Sequence, residues 1–290
     1  MTIIGRPLLL SLLLLAGLAI GTASAQACTP ALGHPPLARK GMLIAAINPT
    51  VAPLQYIDDE GEIKGLDVDL GRAIAGRLCL EMQWQSTLFA TMIPLLKEGR
   101  IDLVDSFMAY TPARAEQVLM IPYGASTGAT IVSARNTDVV TELAYFSGKR
   151  LATELGTIDY DGAKAVSDEL VKQGKPAIDL RTFGTYVDVT QAVIAGQVEG
   201  GLIPTEQAFW FRDKQPGRFR IAMTTRATGA EALAFNNAEL AEAVAKVMNE
   251  MKQDGSFDRI FAPYGHCVLP GPYKVTHGPL PDPDCPTKTR

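Results

Sequence analysis

Between Met42 and Phe261 the chain keeps switching between two hydrophobic periods, and that alternation restricts it to layered α/β folds. Met42–Ile47 (MLIAAI) is a continuous apolar run, suited to a strand buried on both faces. Pro49 and Pro53 make the next stretch a loop, and Asp58-Asp59-Glu60-Gly61 reads as a hairpin turn between Gln55–Ile57 and Ile63–Lys64. Asp67 reads as the cap of a helix bearing Leu70, Ile74 and Leu78, which recur every four residues. A strand at 81–85 follows, then a helix with Met92, Ile93 and Leu96 that stops at Gly99. Pro94 belongs in its first turn, because deeper it would cost about 3 kcal/mol.

Residues 101–107 form the next apolar strand, interrupted by Asp105, and Thr111-Pro112 after it reads as a helix start. Arg114 therefore stands in a first helical turn just past a strand's carboxyl end, where open α/β sheets bind ligands. A guanidinium beside free helix amides suits a carboxylate; an exposed Arg in a weak local ion pair is the plain alternative. A second block repeats the alternation. It has a strand at 150–153, the turn Leu155-Gly156-Thr157-Ile158, helices at 159–173 and 187–196, and strands at 198–203 and 231–235. Helix Ala238–Gln253 closes it, with Leu240, Val244, Val247, Met248 and Met251 on one face. Two such blocks predict two α/β lobes.

The front of the chain predicts export. Residues 1–25 carry Arg6 and then a 13-residue apolar core at 8–20, short of the roughly 20 that span a bilayer. Ala23-Ser24-Ala25 fits a cleavage site, with Ala25-Gln26-Ala27 as an alternative just before Cys28. Lipidation of Cys28 is disfavoured because no large aliphatic residue stands three positions before it. A formal net charge of −4, without a Lys/Arg run, speaks against nucleic-acid binding.

Four cysteines, Cys28, Cys79, Cys267 and Cys285, allow three pairings. Cys28 precedes the first strand and Cys79 ends the first helix, two points that share a sheet edge in a right-handed βαβ unit. We therefore expect Cys28–Cys79 and Cys267–Cys285. His266-Cys267, His277 and Cys285 match no common structural zinc spacing, and an exported chain favours the disulfide.

Four motifs stand in register over this region. They are Gly65-Leu66-Asp67-Val68-Asp69-Leu70, the stretch from Ile93 to Asp102 (IPLLKEGRID), Thr111-Pro112-Ala113-Arg114, and the stretch from Asp254 to Phe261 (DGSFDRIF). With them the chain resembles the family 3 periplasmic solute-binding proteins, the amino-acid-type receptors of ABC importers, from about Met42 to Gly265. The resemblance implies an α/β clamp of the type II periplasmic-binding-protein kind, each lobe a mixed, mainly parallel sheet flanked by helices, with a two-strand hinge near 127–132 and 231–235. Lobe 1 would comprise 26–126 and 232–265, and lobe 2 would comprise 127–231, leaving 266–290 as a Pro-rich extension. It also implies a periplasmic monomer without cofactor or metal that closes on a small carboxylate-bearing solute and docks on a membrane permease. Arg114 would hold that carboxylate, with Gly156, Thr157 and Ile158 facing it from lobe 2.

Several positions depart from the family pattern. Where many members place an Asp for the ligand's ammonium, this chain has Pro204-Thr205, with Glu206 two positions late. The usual small hydroxyl run is Ser106-Phe107-Met108-Ala109, the loop that often carries stacking aromatics has Leu54, and Asn48 replaces an acid. Asp105 could be the missing cation receiver or a structural hydrogen-bonder. A modified amino acid, an opine-like compound or an organic acid is thus expected over a simple cationic amino acid. Two alternatives remain: a periplasmic enzyme resembling cyclohexadienyl dehydratases, with Glu206, Glu154 or Asp105 as general acid, or a sensory or accessory binding protein. His34, His266 and His277 all fall outside the expected lobes, which argues against His-based catalysis, and no G-x-S-x-G, H-E-x-x-H or P-loop is present.

Overall fold

The computed structural model describes residues 28, 32–33, 36–225 and 229–285. The leader at 1–25, its alternative cleavage site at 25–27 and His34 lie outside the described residues. The apolar run MLIAAI is β1 (Met42–Ile47), buried at all but its first residue. The hairpin that follows is β2 (Thr50–Val51), β3 (Gln55–Ile57) and β4 (Ile63–Lys64), a small antiparallel sheet. Then come α1 (Leu66–Arg77), β5 (Glu81–Ser86), α2 (Met92–Lys97), β6 (Leu103–Val104), α3 (Pro112–Ala115) and β7 (Leu119–Ser126). The second block is β8 (Gly128–Ser133), β9 (Arg150–Glu154), α4 (Ile158–Lys172), β10 (Asp179–Phe183), α5 (Tyr186–Ile194) and β11 (Gly200–Pro204). It ends with α6 (Thr205–Lys214) and β12 (Phe219–Thr224). The chain finishes with β13 (Gly229–Phe235), α7 (Ala238–Gln253) and α8 (Ser256–Phe261).

The strands form two five-stranded sheets, ordered β5-β1-β6-β13-β7 and β10-β9-β11-β8-β12. Both are mixed. Pairing is parallel where helical crossovers link the strands, β1 with β5 and β6, and β9 with β10 and β11. It is antiparallel for β13 with β6 and β7, and for β8 with β11 and β12. The backbone leaves the first sheet after Ser126, enters the second at Gly128, and is back in the first by Gly229. Each sheet is the centre of one lobe, and Thr127 lies where the lobes meet.

Helical stripes face the sheets as their spacing demands. Leu66, Leu70 and Ile74 of α1, and Leu240, Val244, Met248 and Met251 of α7, are fully buried. Asp67 does not cap α1: Gly65 does, at φ +124°, where a Cβ would collide with the Leu54 carbonyl. Asp67 instead points inward and is itself buried. Pro94 sits in the first turn of α2, where its missing N–H costs nothing. The strand expected over 101–107 shrinks to Leu103–Val104, because Phe107 adopts φ +49° and breaks the ladder. β10, β12 and α6 were not legible in the apolar pattern, since β10 (DLRTF) and β12 carry few fully buried side chains.

The segment after Gly265 is not a free extension. It runs antiparallel along the outer edge of β7, with bridges Gly124–Val268 and Met120–Thr276. Asn249 of α7 holds it at Tyr273, donating to the Tyr273 carbonyl and accepting from its N–H, each at 2.8 Å. The disulfides are Cys28–Cys79 and Cys267–Cys285, the pairing expected from topology.

The Cys28–Cys79 bridge spans 51 residues of sequence, so chain entropy assigns it on the order of 4 kcal/mol. The double variant Cys28→Ser/Cys79→Ser should lose about that much stability in reversible denaturant unfolding; a loss below about 1 kcal/mol would contradict this account.

Candidate functional site

Thr111 starts α3 as its N-cap, accepting from the Arg114 N–H at 3.1 Å, with Pro112 at the first helical position. That short turn aims the Arg114 side chain across the gap between the lobes. Nη1 donates to the Ala109 carbonyl at 2.6 Å, within its own lobe. Nη2 donates to the Gly156 carbonyl at 2.9 Å, in the other lobe. The guanidinium also stacks over Phe89, 5.4 Å from the ring centre. Burial pulls its pKa down, while Tyr186 and Asp161 push it up; an Arg stays cationic in any case.

Beside it lies a cavity of about 210 Å³ between the lobes. Lobe 1 lines it with Asn48, Ser106, Phe107 and Arg114. Lobe 2 lines it with Glu154, Thr157, Ile158, Asp159 and Tyr186. Asn48 reaches over to Glu154, its Nδ2 donating to Oε1 at 2.7 Å, and both residues are buried. Ser106 Oγ accepts from the Asn48 N–H and from Gln55 Nε2, each at 2.9 Å, which fixes Asn48 for that reach. On the lobe 2 side Gly156 takes φ +84°, the left-handed turn that brings Thr157 and Ile158 to the start of α4. The Thr157 hydroxyl donates to the Glu154 carbonyl at 2.8 Å and so does not cap the first amides of α4, whose opening residues Ile158 and Asp159 line the cavity. Tyr186 donates to Asp159 Oδ2 at 2.8 Å.

Burial first, and then the nearby charge of Asp159, raise the Glu154 pKa to about 8, against the opposing hydrogen bond from Asn48. Burial likewise raises Asp159, and its bond from Tyr186 counters this. At neutral pH the cleft therefore presents a guanidinium, a helix N-terminus, a protonated carboxyl and a second carboxyl. The first pair suits an anion, and the second pair offers oxygens to a hydrogen-bond donor and, once Glu154 ionises, to a cation.

Of the residues singled out from sequence, Arg114, Ser106, Phe107, Thr157, Ile158 and Asn48 line the cavity, and Gly156 meets Arg114 through its carbonyl. Besides Gly156, four do not line it. Leu54 is fully buried under Gly65 in the lobe 1 core. Met108 packs in a second lobe 1 cluster and gives only its carbonyl, to the Ala232 N–H at 2.8 Å. Asp105, at the end of β6, is buried and points towards α1, near Gly71. Glu206 is buried beside His266, Nδ1 to Oε1 3.3 Å. His266 itself is a correction: it does not sit outside the lobes but is buried at their junction, paired with Glu231 at 2.7 Å. Neither Glu206 nor Asp105, the two replacements considered for the usual ammonium-binding Asp, lines the cleft, whereas Glu154 and Asp159 both do. Their pattern was visible only as a strand end and a helix start; what places them together is the left-handed turn at Gly156.

The sequence profile of the bacterial extracellular solute-binding proteins, family 3, matches residues 43–266. The chain is 24% identical over 231 residues to the arginine-binding protein ArgT of Corynebacterium glutamicum, covering 79% of this chain and 76% of that protein. It is also 24% identical over 225 residues to the lysine/arginine/ornithine-binding periplasmic protein of Escherichia coli, covering 74% of this chain and 84% of the other. Among solved structures, an ancestral arginine-binding protein bound to arginine superposes with a TM-score of 0.72 at 27% identity, covering 78% of this chain and 98% of that one. These relatives are named as binding proteins.

Glu154 yields a direct prediction. Infrared spectra at pH 7 should contain a protonated-carboxyl band that Glu154→Gln removes, and in the wild type that component should disappear as pH rises through about 8. A difference spectrum already ionised at pH 6 would contradict the assignment.

Proposed function

Since the chain belongs to the bacterial extracellular solute-binding proteins, family 3, we propose that it is the exported capture protein of an ABC importer, binding a small solute that carries both a carboxylate and a cationic group. The division into two hinged lobes belongs to the same reading, with the expected boundary after residue 231 moved to before Gly229, where β13 enters the first sheet and brings Glu231 into lobe 1. A cleft lined from both sides favours the closed state only when something touches both walls. The observation that carries this reading is Arg114, which spans the gap to Gly156 at 2.9 Å and lines the cavity together with Glu154 and Asp159. A ligand carboxylate would replace one of the two carbonyl acceptors of Arg114 and gain the amides at the start of α4. A ligand cation would lie at Glu154 and Asp159. The closed form would then dock on a membrane permease, with the protein acting as a monomer without cofactor.

Relatives named for arginine and for lysine, arginine and ornithine make these amino acids the first probes. Thermal-shift screening of basic amino acids, opines and organic acids should find one that stabilises the protein by about 2.7 kcal/mol at a hundredfold excess over Kd. Arg114→Ala should remove that shift; full affinity in this variant would overturn the reading. Because a cation beside Glu154 favours its ionised form, binding below pH 8 should release a proton. Titration calorimetry in two buffers of different ionisation enthalpy measures it, and Glu154→Gln should abolish the difference.

Glu154 also favours one second reading. A carboxyl that keeps its proton at pH 7 inside a cleft is suited to general-acid work, as a dehydratase on this scaffold requires. Turnover of prephenate or arogenate would establish it, and tight binding without turnover would dismiss it.

A further inference from the structure

The densest cluster of titratable groups lies away from the cavity, at the junction of the lobes. Gly265, at φ +56°, ends the helical turn after α8 and swings the chain so that His266 enters the interior. Its side chain is fully shielded from solvent. Nε2 lies 2.7 Å from Glu231 Oε2, on the crossing strand β13. Nδ1 lies 3.3 Å from Glu206 Oε1, in the first turn of α6 and so on lobe 2. Thr127, between the two lobes, touches Glu206 through its hydroxyl at 3.4 Å and accepts the Thr205 N–H on its carbonyl at 3.2 Å.

The other elements packed around this point bring further acids. From β7, Tyr123 donates to Glu231 Oε1 at 2.8 Å. From α1, Asp67 accepts the Phe107 N–H at 3.1 Å and lies 3.5 Å from the Tyr123 hydroxyl. After β6, Asp105 has no hydrogen-bond partner on either carboxylate oxygen among the described residues. Burial above all, and then the neighbouring negative charges, hold Asp67 and Asp105 well above the usual carboxylate range. Tyr123 is raised for the same reasons. The space is built for the imidazole: a Cβ on Gly124 would stand 2.8 Å from Glu231 Oε2 and 3.0 Å from His266 Nε2. The rings of Phe107 and Phe261 flank it at 6.2 and 6.1 Å. Phe107 also lines the cavity, so the cluster and the cleft share a wall.

We propose that His266 is a proton-operated latch on the hinge, in which the imidazolium carried by the C-terminal strap ties Glu206 of lobe 2 to Glu231 of lobe 1 and favours the closed clamp. The strap is pinned to β7 by its bridges and by the Cys267–Cys285 disulfide, so His266 belongs mechanically to lobe 1. Opening moves Glu206 with lobe 2 and weakens the bridge. Loss of the proton leaves two carboxylates facing each other in a dry space, which lobe separation relieves by admitting water.

Burial alone would lower the His266 pKa, but the charges of Glu231 and Glu206 and the hydrogen bond to Glu231 raise it to about 9, against 6.5 for a free imidazole; Nδ1 meets Glu206 as an ion pair at 3.3 Å rather than as a hydrogen bond. A group whose pKa is raised in the closed state stabilises that state fully below its open-state pKa, and the effect is lost as pH rises through about 9. Closure therefore takes up a proton in the window between the two values.

The test is small-angle scattering of the ligand-free mature protein from pH 6 to 10, made in a Glu154→Gln background to remove the cleft carboxyl's own titration. The radius of gyration should increase with pH, with a midpoint near 9. Adding Glu206→Gln should move that midpoint to lower pH, and adding His266→Asn should leave an open form with no pH dependence. A flat profile in the Glu154→Gln protein overturns the proposal, and so does an unchanged profile in the His266→Asn protein. If His266→Asn does not fold, the Glu206→Gln midpoint decides alone: an unshifted midpoint overturns the latch.

Discussion

A guanidinium withdrawn from water must find acceptors, and Arg114 finds one carbonyl in each lobe. Ala109 supplies the first and Gly156 the second, so the same cation that sits at the edge of the cavity also bridges the two lobes. The rest of the cleft follows from where those carbonyls stand. Ala109 lies between β6 and α3, and Thr111 and Pro112 turn the chain so that Arg114 points outward from the strand end. Gly156 lies between β9 and α4, in a conformation that admits glycine readily and other residues with strain. Two βα junctions, one per sheet, thus meet across a gap the size of a small solute.

Among the described residues, buried titratable groups cluster at two places, and the two are built differently. In the cleft, Arg114 and the start of α4 balance Glu154 and Asp159, and a solute of matching charge can complete the set. At the junction, Glu206 and Glu231 flank the imidazole of His266, and Asp67 and Asp105 lie close enough to Glu231 to feel its charge. Such a group is stable only while protons are retained, which makes the hinge sensitive to pH independently of any ligand. Phe107 stands between the two sites, its N–H held by Asp67 and its ring against both His266 and the cavity.

Elements with a strong apolar period were legible in the chain. β1 and α7 begin and end where the pattern predicts, and the Thr111-Pro112 start of α3 is read directly from capping chemistry. Arg114, Asn48, Ser106 and Thr157 line the cavity, near the strand ends to which motif order carries them. The misses share one cause, which is that long-range packing decides where a polar side chain points. Glu206 and Asp105, each one possible cation receiver from sequence, instead turn away from the cavity, Glu206 to His266 and Asp105 towards α1 and the charge of Glu231. Asp67 looked like a cap, yet Gly65 takes that position because the Leu54 carbonyl approaches too closely for any Cβ. His266 looked like part of a loose tail until the β7 edge strand brought it inside, a pairing between residues far apart in sequence that no local pattern encodes.

The central claim is that Arg114 receives a carboxylate while Glu154 and Asp159 receive a cation of the same solute. A crystal structure of the protein with the solute chosen by screening tests this most directly. The claim requires the solute's carboxylate within hydrogen-bond distance of the Arg114 guanidinium and of the first amides of α4, and its cationic group at Glu154 and Asp159. A solute bound in the cleft with its carboxylate away from Arg114, or lying outside the cleft altogether, would contradict it.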